Sequence, residues 1–241
     1  MKKRFDDQPL RYDAKPSIQK GDEDASLHSY MIRVHMYMSF GLGLTGIIAF
    51  IAAHSSALME SILLSPLKWV VIFAPIGIVF FLSSKITTLS LRVVQVLFWV
   101  YAGSMGLSLS SIFLIFTGES IARLFFITSS IFAAMGLYGY SSRRDLTAMG
   151  SFLMMGLLGL IIASLVNLFF YTSSMQTAIS FIGVLLFTGL TAYDVQHIKE
   201  FYFERDTTEV SNKKAIFGAL QLYLDFINLF TSLLQLSKER R

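Results

Sequence analysis

The chain alternates long apolar runs with short polar pieces, and the runs fall in one length class. Seven stretches, at 36–53, 69–84, 93–116, 124–141, 147–171, 175–197 and 215–236, are predominantly apolar. Each is close to the roughly 20 residues a helix needs to cross a bilayer. Barrel strands would be about half as long and would alternate apolar with polar positions. The pattern therefore predicts an all-α integral membrane protein, a bundle of seven transmembrane helices, because only helices satisfy their own backbone hydrogen bonds segment by segment in lipid.

Residues 1–33 mix charges of both signs with two prolines and hold no sustained apolar run. They read as a flexible cytosolic N-terminal tail, followed by a membrane domain at 34–237 and a basic C-terminal tail at 238–241. The basic start resembles the first part of a signal peptide, but no apolar stretch follows before position 36 and no small-residue cleavage site comes after it. The first helix is expected to be kept as a span.

Composition sharpens the exclusions. Hydrophobic residues make up 54% of the 241 and charged residues only 15%, against roughly 25% charged in a soluble domain. Cysteine is absent, which removes disulfides, thiolate nucleophiles and Cys-based metal centres. The net charge of +4 comes from basic residues scattered between the apolar runs, so it points to membrane topology and not to nucleic acid. With the N-terminus inside, 15 of the 20 Lys and Arg residues fall on the cytoplasmic side, as the positive-inside rule asks. Three of the other five are Lys238, Arg240 and Arg241, which leaves open a topology in which the last segment re-enters and the tail stays cytosolic.

Two acidic residues fall well inside apolar runs, Asp194 in LLFTGLTAYDVQHI and Asp225 in LQLYLDFINLF. Each would cost about 2.5–3.5 kcal/mol at a helix centre, which makes an intramembrane carboxylate a functional candidate by default. Asp194 is near enough to its helix end to snorkel; Asp225 is not. Around Asp225, the residues Gln221, Asn228, Ser232 and Gln235 follow a 4, 3, 4, 3 spacing that puts all five on one helical face. That stripe must look into the bundle or onto a wet path. The sixth and seventh segments are joined by a short polar loop and should run antiparallel, so Asp194 and Asp225 can meet. Two carboxylates in a poorly solvated site cannot both ionise easily and would share a proton or a bridging water, an arrangement that senses pH. They also offer hard oxygen ligands suited to calcium, but too few of the six to eight it takes, so a weak calcium site on a permeation path fits better than a storage site.

A mobile cation could close such a pair, and Lys85 and Arg92 are the candidates on the same side of the membrane, with Arg143 and Arg144 further back. The common role of basic residues at such positions is to anchor topology. His197, one turn after Asp194, reads as an interfacial histidine. No Walker A loop, His-x-x-x-His pair or Gly-x-Ser-x-Gly elbow is present, so nucleotide-driven transport and metallo- or serine hydrolysis lack support. An intramembrane aspartyl protease would need Gly-x-Gly-Asp where this chain reads Leu222-Tyr223-Leu224-Asp225.

FWVYAGSMGLSLSSIF from Phe98, LTAYDVQHIK from Leu190 and LQLYLDFINLFTSLLQL from Leu220 closely resemble the Bax inhibitor-1 family, also called the transmembrane Bax inhibitor motif family, in its prokaryotic branch. The resemblance covers roughly residues 30–237. It implies a non-enzymatic seven-helix protein with the seventh helix central, resident in a bacterial inner (plasma) membrane with its N-terminus cytoplasmic. It further implies pH-dependent calcium leak, with an aspartate pair on the sixth and seventh helices as pH sensor, matched here by Asp194 and Asp225. The family pattern has an arginine at the cytosolic end of the second helix that pairs with the seventh-helix aspartate when closed. This chain reads SSKITTLSLR there, making Lys85 the best positional match and Arg92 the next.

The sequence thus predicts a pH-sensitive calcium leak channel-like protein whose partners are lipid, calcium ions and protons, with no cofactor and no nucleic acid. The alternative is a non-transporting regulator that binds another membrane protein, such as a protease or a cell-death factor.

Overall fold

The computed structural model describes residues 17–237; the expectations for 1–16 and for the basic tail at 238–241 lie outside the described residues. The elements are α1 (Ser17–Ala53), α2 (Ser56–Leu64), α3 (Leu67–Lys85), α4 (Leu91–Leu109), α5 (Ile112–Ile115), α6 (Gly118–Ser141), α7 (Thr147–Phe169), α8 (Ser173–Glu200) and α9 (Thr208–Leu236). Seven of them, all but α2 and α5, are the cores of spans long and apolar enough to cross a membrane. The protein is an all-α membrane protein.

Hydroxyl caps mark several helix starts. Thr117, Thr172 and Thr207 each accept a hydrogen bond from a backbone N–H three residues on, at Ser120, Met175 and Val210, which satisfies one of the four orphan donors of a first turn. The connections at 86–90, 142–146 and 201–207 lie at one end of the bundle, the near end. Those at 110–117 and 170–172, with α2, lie at the other, the far end.

One expectation is corrected. Residues 17–33 are not a flexible tail: α1 begins at Ser17. Its charges conceal an apolar face, since Leu27, Tyr30, Met31, Val34 and Met38 recur at helical spacing and pack into the main core with Ile216, Ala219, Leu220 and Tyr223 of α9. The seventh apolar run is part of a single helix, α9, unbroken for 29 residues, about 44 Å at 1.5 Å per residue.

The packing follows the logic of lipid and not of water. In α9, 61% of the apolar stretch is buried inside the protein, against 11% in α7, although α7 is the most apolar of the seven spans and α9 among the least. Hydrocarbon solvates Leu and Phe as well as a protein core does, so the helices with polar groups to satisfy go inside. Thus Phe80, Phe126, Leu137 and Leu168 are exposed on the outside. The helix α9 packs against α1, α4, α6 and α8, whereas α7 makes its substantial contacts with α8 alone. Small residues permit the closest approaches. Gly106 on α4 lies against the Thr45 carbonyl and Ile48 of α1, and Gly139 on α6 against the Ala192 carbonyl of α8.

Candidate functional site

All five stripe residues of α9 line one cavity. Gln221, Asp225, Asn228, Ser232 and Gln235 form one wall of a space of about 850 Å³, and Asp194, Tyr193, His197 and Ser180 of α8 line it with them. The opposite wall is apolar but for Ser164, built from α7 residues between Met154 and Leu168. From Gln221 to Gln235 the stripe rises about 21 Å, most of a hydrocarbon core's depth. The 4, 3, 4, 3 spacing is therefore a lining and not a packing face.

Asp194 and Asp225 both line this cavity, close enough for each carboxyl group to feel the other's charge. Asp225 is 5% exposed, and among the described residues its buried Oδ2 has no hydrogen-bond partner. Carboxyl groups this close titrate as a pair and not as two independent sites. The local fold holds them in place. The Ser232 side chain packs against Gly183 on α8, where a Cβ would lie 2.6 Å from Ser232 Oγ, so α8 and α9 approach closely on the far side of the pair. Asn228, one turn from Asp225, donates through Nδ2 to the Leu224 carbonyl at 2.8 Å.

Toward the near end a second cavity of about 360 Å³ adjoins the first. His197 and Gln221 line both, and Lys213, Lys214, Phe217 and Gly218 complete the smaller one on the α9 side. Its lysines are engaged, Lys213 with Glu209 at 2.9 Å and Lys214 with Asp206 at 2.6 Å. His197 is held between aromatic neighbours, stacked on Tyr193 with ring centroids 5.4 Å apart and edge-on to Phe201.

The two latch candidates stand elsewhere. Lys85 ends α3 and Arg92 opens α4; both are exposed, and among the described residues neither forms an ion pair with Asp194 or Asp225. The loop between them contributes Ile86 and Thr87 to the near-end cavity. Among the described residues, no group of three or more His, Asp or Glu side chains is placed to hold a metal ion.

Several polar residues at the site escaped the sequence reading. Gln196, buried on α8, accepts from Leu146 N–H at 2.8 Å and donates to the Arg144 carbonyl at 2.9 Å, pinning the α6–α7 connection beside Asp194. Thr45 of α1 donates to the Ala102 carbonyl at 2.8 Å and accepts from the Tyr223 hydroxyl at 2.6 Å, tying α1, α4 and α9 together behind the stripe. Asn167 and Gln176, amides within the fifth and sixth apolar runs, join Gln235 at the far end. The desolvation cost that singled out the aspartates applies to these amides as well and was the available signal.

Residues 27–241 match the protein family described as inhibitor of apoptosis-promoting Bax1. The chain belongs to this family. Its relatives include the inner membrane protein YbhL of Escherichia coli (strain K12), 44% identical over 220 residues that cover 90% of this chain and 94% of the relative. A Rickettsia prowazekii protein, RP147, is 48% identical over 90% of this chain and 92% of its own length. A Borreliella burgdorferi protein is 40% identical over 92% and 97% of the two chains. The match to the Bax inhibitor family takes in every residue of the cavity wall and both aspartates.

Proposed function

We propose that the protein is a pH-responsive leak pathway for calcium in a bacterial inner membrane, with its N-terminus cytoplasmic and the Asp194–Asp225 pair as sensor and weak cation site. The observation that carries this reading is the pair itself. Two carboxyl groups meet on the wall of a large cavity, and one oxygen of Asp225 is buried there with no hydrogen-bond partner among the described residues. A buried ionised carboxylate is expensive unless a proton, a partner or a cation neutralises it, so occupancy of this position by a proton or a cation depends on pH. The cavity has room for a hydrated ion. Six to eight waters occupy roughly 180–240 Å³, well inside about 850 Å³.

The stripe supplies amide and hydroxyl oxygens on both sides of the pair, and the near-end cavity provides access past His197 and Gln221. The E. coli relative's name supports the inner membrane, and the count of basic residues supports the stated orientation. Lys85 and Arg92, both exposed on the near-end connection, could reach the pair only through a movement of α3 and α4 relative to α9.

The test is calcium flux into liposomes containing the purified protein alone, measured across pH. The parent protein should pass calcium with a clear pH dependence. Asp225→Asn keeps the shape and removes the titrating charge, and should flatten the profile; Asp194→Asn should do the same. Glu119→Gln, in the first turn of α6 at the far end, should leave the profile intact. An unchanged profile in Asp225→Asn would overturn the sensor assignment, and no flux from the purified protein would favour a regulator acting through a membrane-protein partner.

A further inference from the structure

The main cavity meets a third one at its far end, and hydrogen-bonded side-chain amides bridge the junction. Gln235 lines both the main cavity and a space of about 260 Å³ formed with Ile112, Phe116, Tyr171, Gln176 and Thr231. At the junction, Gln235 Oε1 accepts from Gln176 Nε2 and from the Ser180 hydroxyl, the latter at 3.1 Å. Gln176 Oε1 accepts from Asn167 Nδ2 at 2.7 Å, and Asn167 Oδ1 accepts from the Thr172 backbone N–H at 3.1 Å.

The chain of bonds has one direction. A backbone N–H can only donate, so Thr172 fixes the Asn167 amide, which fixes Gln176, which fixes Gln235. Each amide oxygen in the series accepts at least one hydrogen bond, and that of Gln235 accepts two. The series links the C-terminal turn of α7, the first turns of α8 and the last turns of α9. One to two turns away, the contact of Gly183 with Ser232 holds α8 and α9 at a fixed separation. The passage can therefore widen by a rotation of the Gln235 side chain without the helices parting.

We propose that Gln235, held by Gln176 and Ser180, is the far-end gate of the cavity, a clasp that shuts the space between the aspartate pair and the opposite membrane face. The inference rests on the reading of the cavity as a cation pathway, and its own readout is thiol labelling and not calcium flux.

The chain has no cysteine, so a single introduced thiol reports on one place. The probe is Asn228→Cys, on the main-cavity wall between Asp225 and Gln235. A cationic, membrane-impermeant thiosulfonate is added to the face that carries the 110–117 connection. With the clasp intact, labelling should be slow. Adding Gln235→Ala or Gln176→Ala should speed it by about tenfold, the shift expected from removing one or two hydrogen bonds. Gln235→Asn, which keeps the amide but shortens its reach by one methylene, should do likewise in a protein whose fold is least disturbed. Thr231→Ala, on the third cavity but outside the amide series, should leave the rate unchanged.

Equal labelling rates with and without the clasp would overturn the gate. A protein that carries no calcium flux but shows the tenfold increase would refute the calcium reading and keep the gate, so the two failures are distinguishable.

Discussion

Replacing Gly106 by alanine tests whether the α1–α4 interface is set by backbone contact. A Cβ at Gly106 would lie 2.7 Å from the Thr45 carbonyl oxygen and 2.9 Å from Ile48 Cβ. Neither neighbour is the movable end of a side chain, so α1 and α4 must separate by about half an ångström to restore ordinary contact. That movement strains the Thr45 hydroxyl, whose bonds to the Ala102 carbonyl and Tyr223 OH are 2.8 and 2.6 Å. Overpacking of this kind costs about 1–3 kcal/mol, and a weakened buried hydrogen bond adds about 0.5–1.5 kcal/mol.

Against this stands the gain from replacing glycine in a helix, about 0.5–1 kcal/mol. The net expectation for Gly106→Ala is a loss of roughly 1–3 kcal/mol, by those same magnitudes. Gly43 and Gly46 are on the same α1 and have nothing within 4 Å of an added Cβ, so Gly43→Ala and Gly46→Ala should gain up to about 1 kcal/mol. Thermal unfolding in detergent measures the contrast, at roughly 2–4 °C per kcal/mol for a chain of this size. A Gly106→Ala protein as stable as Gly43→Ala would refute the backbone-contact argument.

Three further outcomes are expected. Gln196→Ala strips the partners from the Leu146 N–H and the Arg144 carbonyl, a loss of roughly 1–3 kcal/mol, so trypsin should cut at Arg143 or Arg144 about tenfold faster or more; equal cleavage rates would show that the connection is held by other contacts. The Thr147 hydroxyl and N–H hold the Asp145 carboxyl below the usual carboxylate range. A depressed folded-state value stabilises the fold above the ordinary carboxylate pKa and ceases to do so as pH falls through it, so the stability gap between the parent and Asp145→Ala should be open at pH 7 and close on acidification. A reporter fused after Ser120 should lie outside and one in the 201–212 region in the cytosol; a cytosolic reading at Ser120 would invert the orientation.

Much of this architecture is legible in one dimension because lipid imposes a simple rule. An apolar run of the right length has few alternatives to a spanning helix, and a carboxylate inside such a run must find company, so the seven spans and the meeting of Asp194 with Asp225 both follow from local sequence. The stripe of α9 is legible for the same reason, since its spacing fixes a face before anything is known of the neighbours. Features that depend on two distant segments are not. The face of Leu27, Tyr30, Met31, Val34 and Met38 is interrupted by Arg33, whose guanidinium bonds Ser211 of α9, so α1 begins well before its hydropathy rises. Gln196 contacts a connection about 50 residues away, and Gln235 contacts Gln176 at a separation of 59; no local pattern pairs them. The placement of Lys85 and Arg92 depends on where α3 and α4 stand relative to α9, which hydropathy does not encode.

The isolation of α7 has a consequence for how the cavity responds to its surroundings. The helix rests on α8, flanks the cavity opposite α9 and offers most of its surface to hydrocarbon. Acyl chains contact its outer face as favourably as side chains would, so tilting it exchanges one apolar neighbour for another at little expense. The bilayer thereby becomes part of the cavity wall. A thinner or thicker membrane would tilt α7 to match its 23 apolar-rich residues, and the volume in front of the aspartates would change with lipid composition even at constant pH.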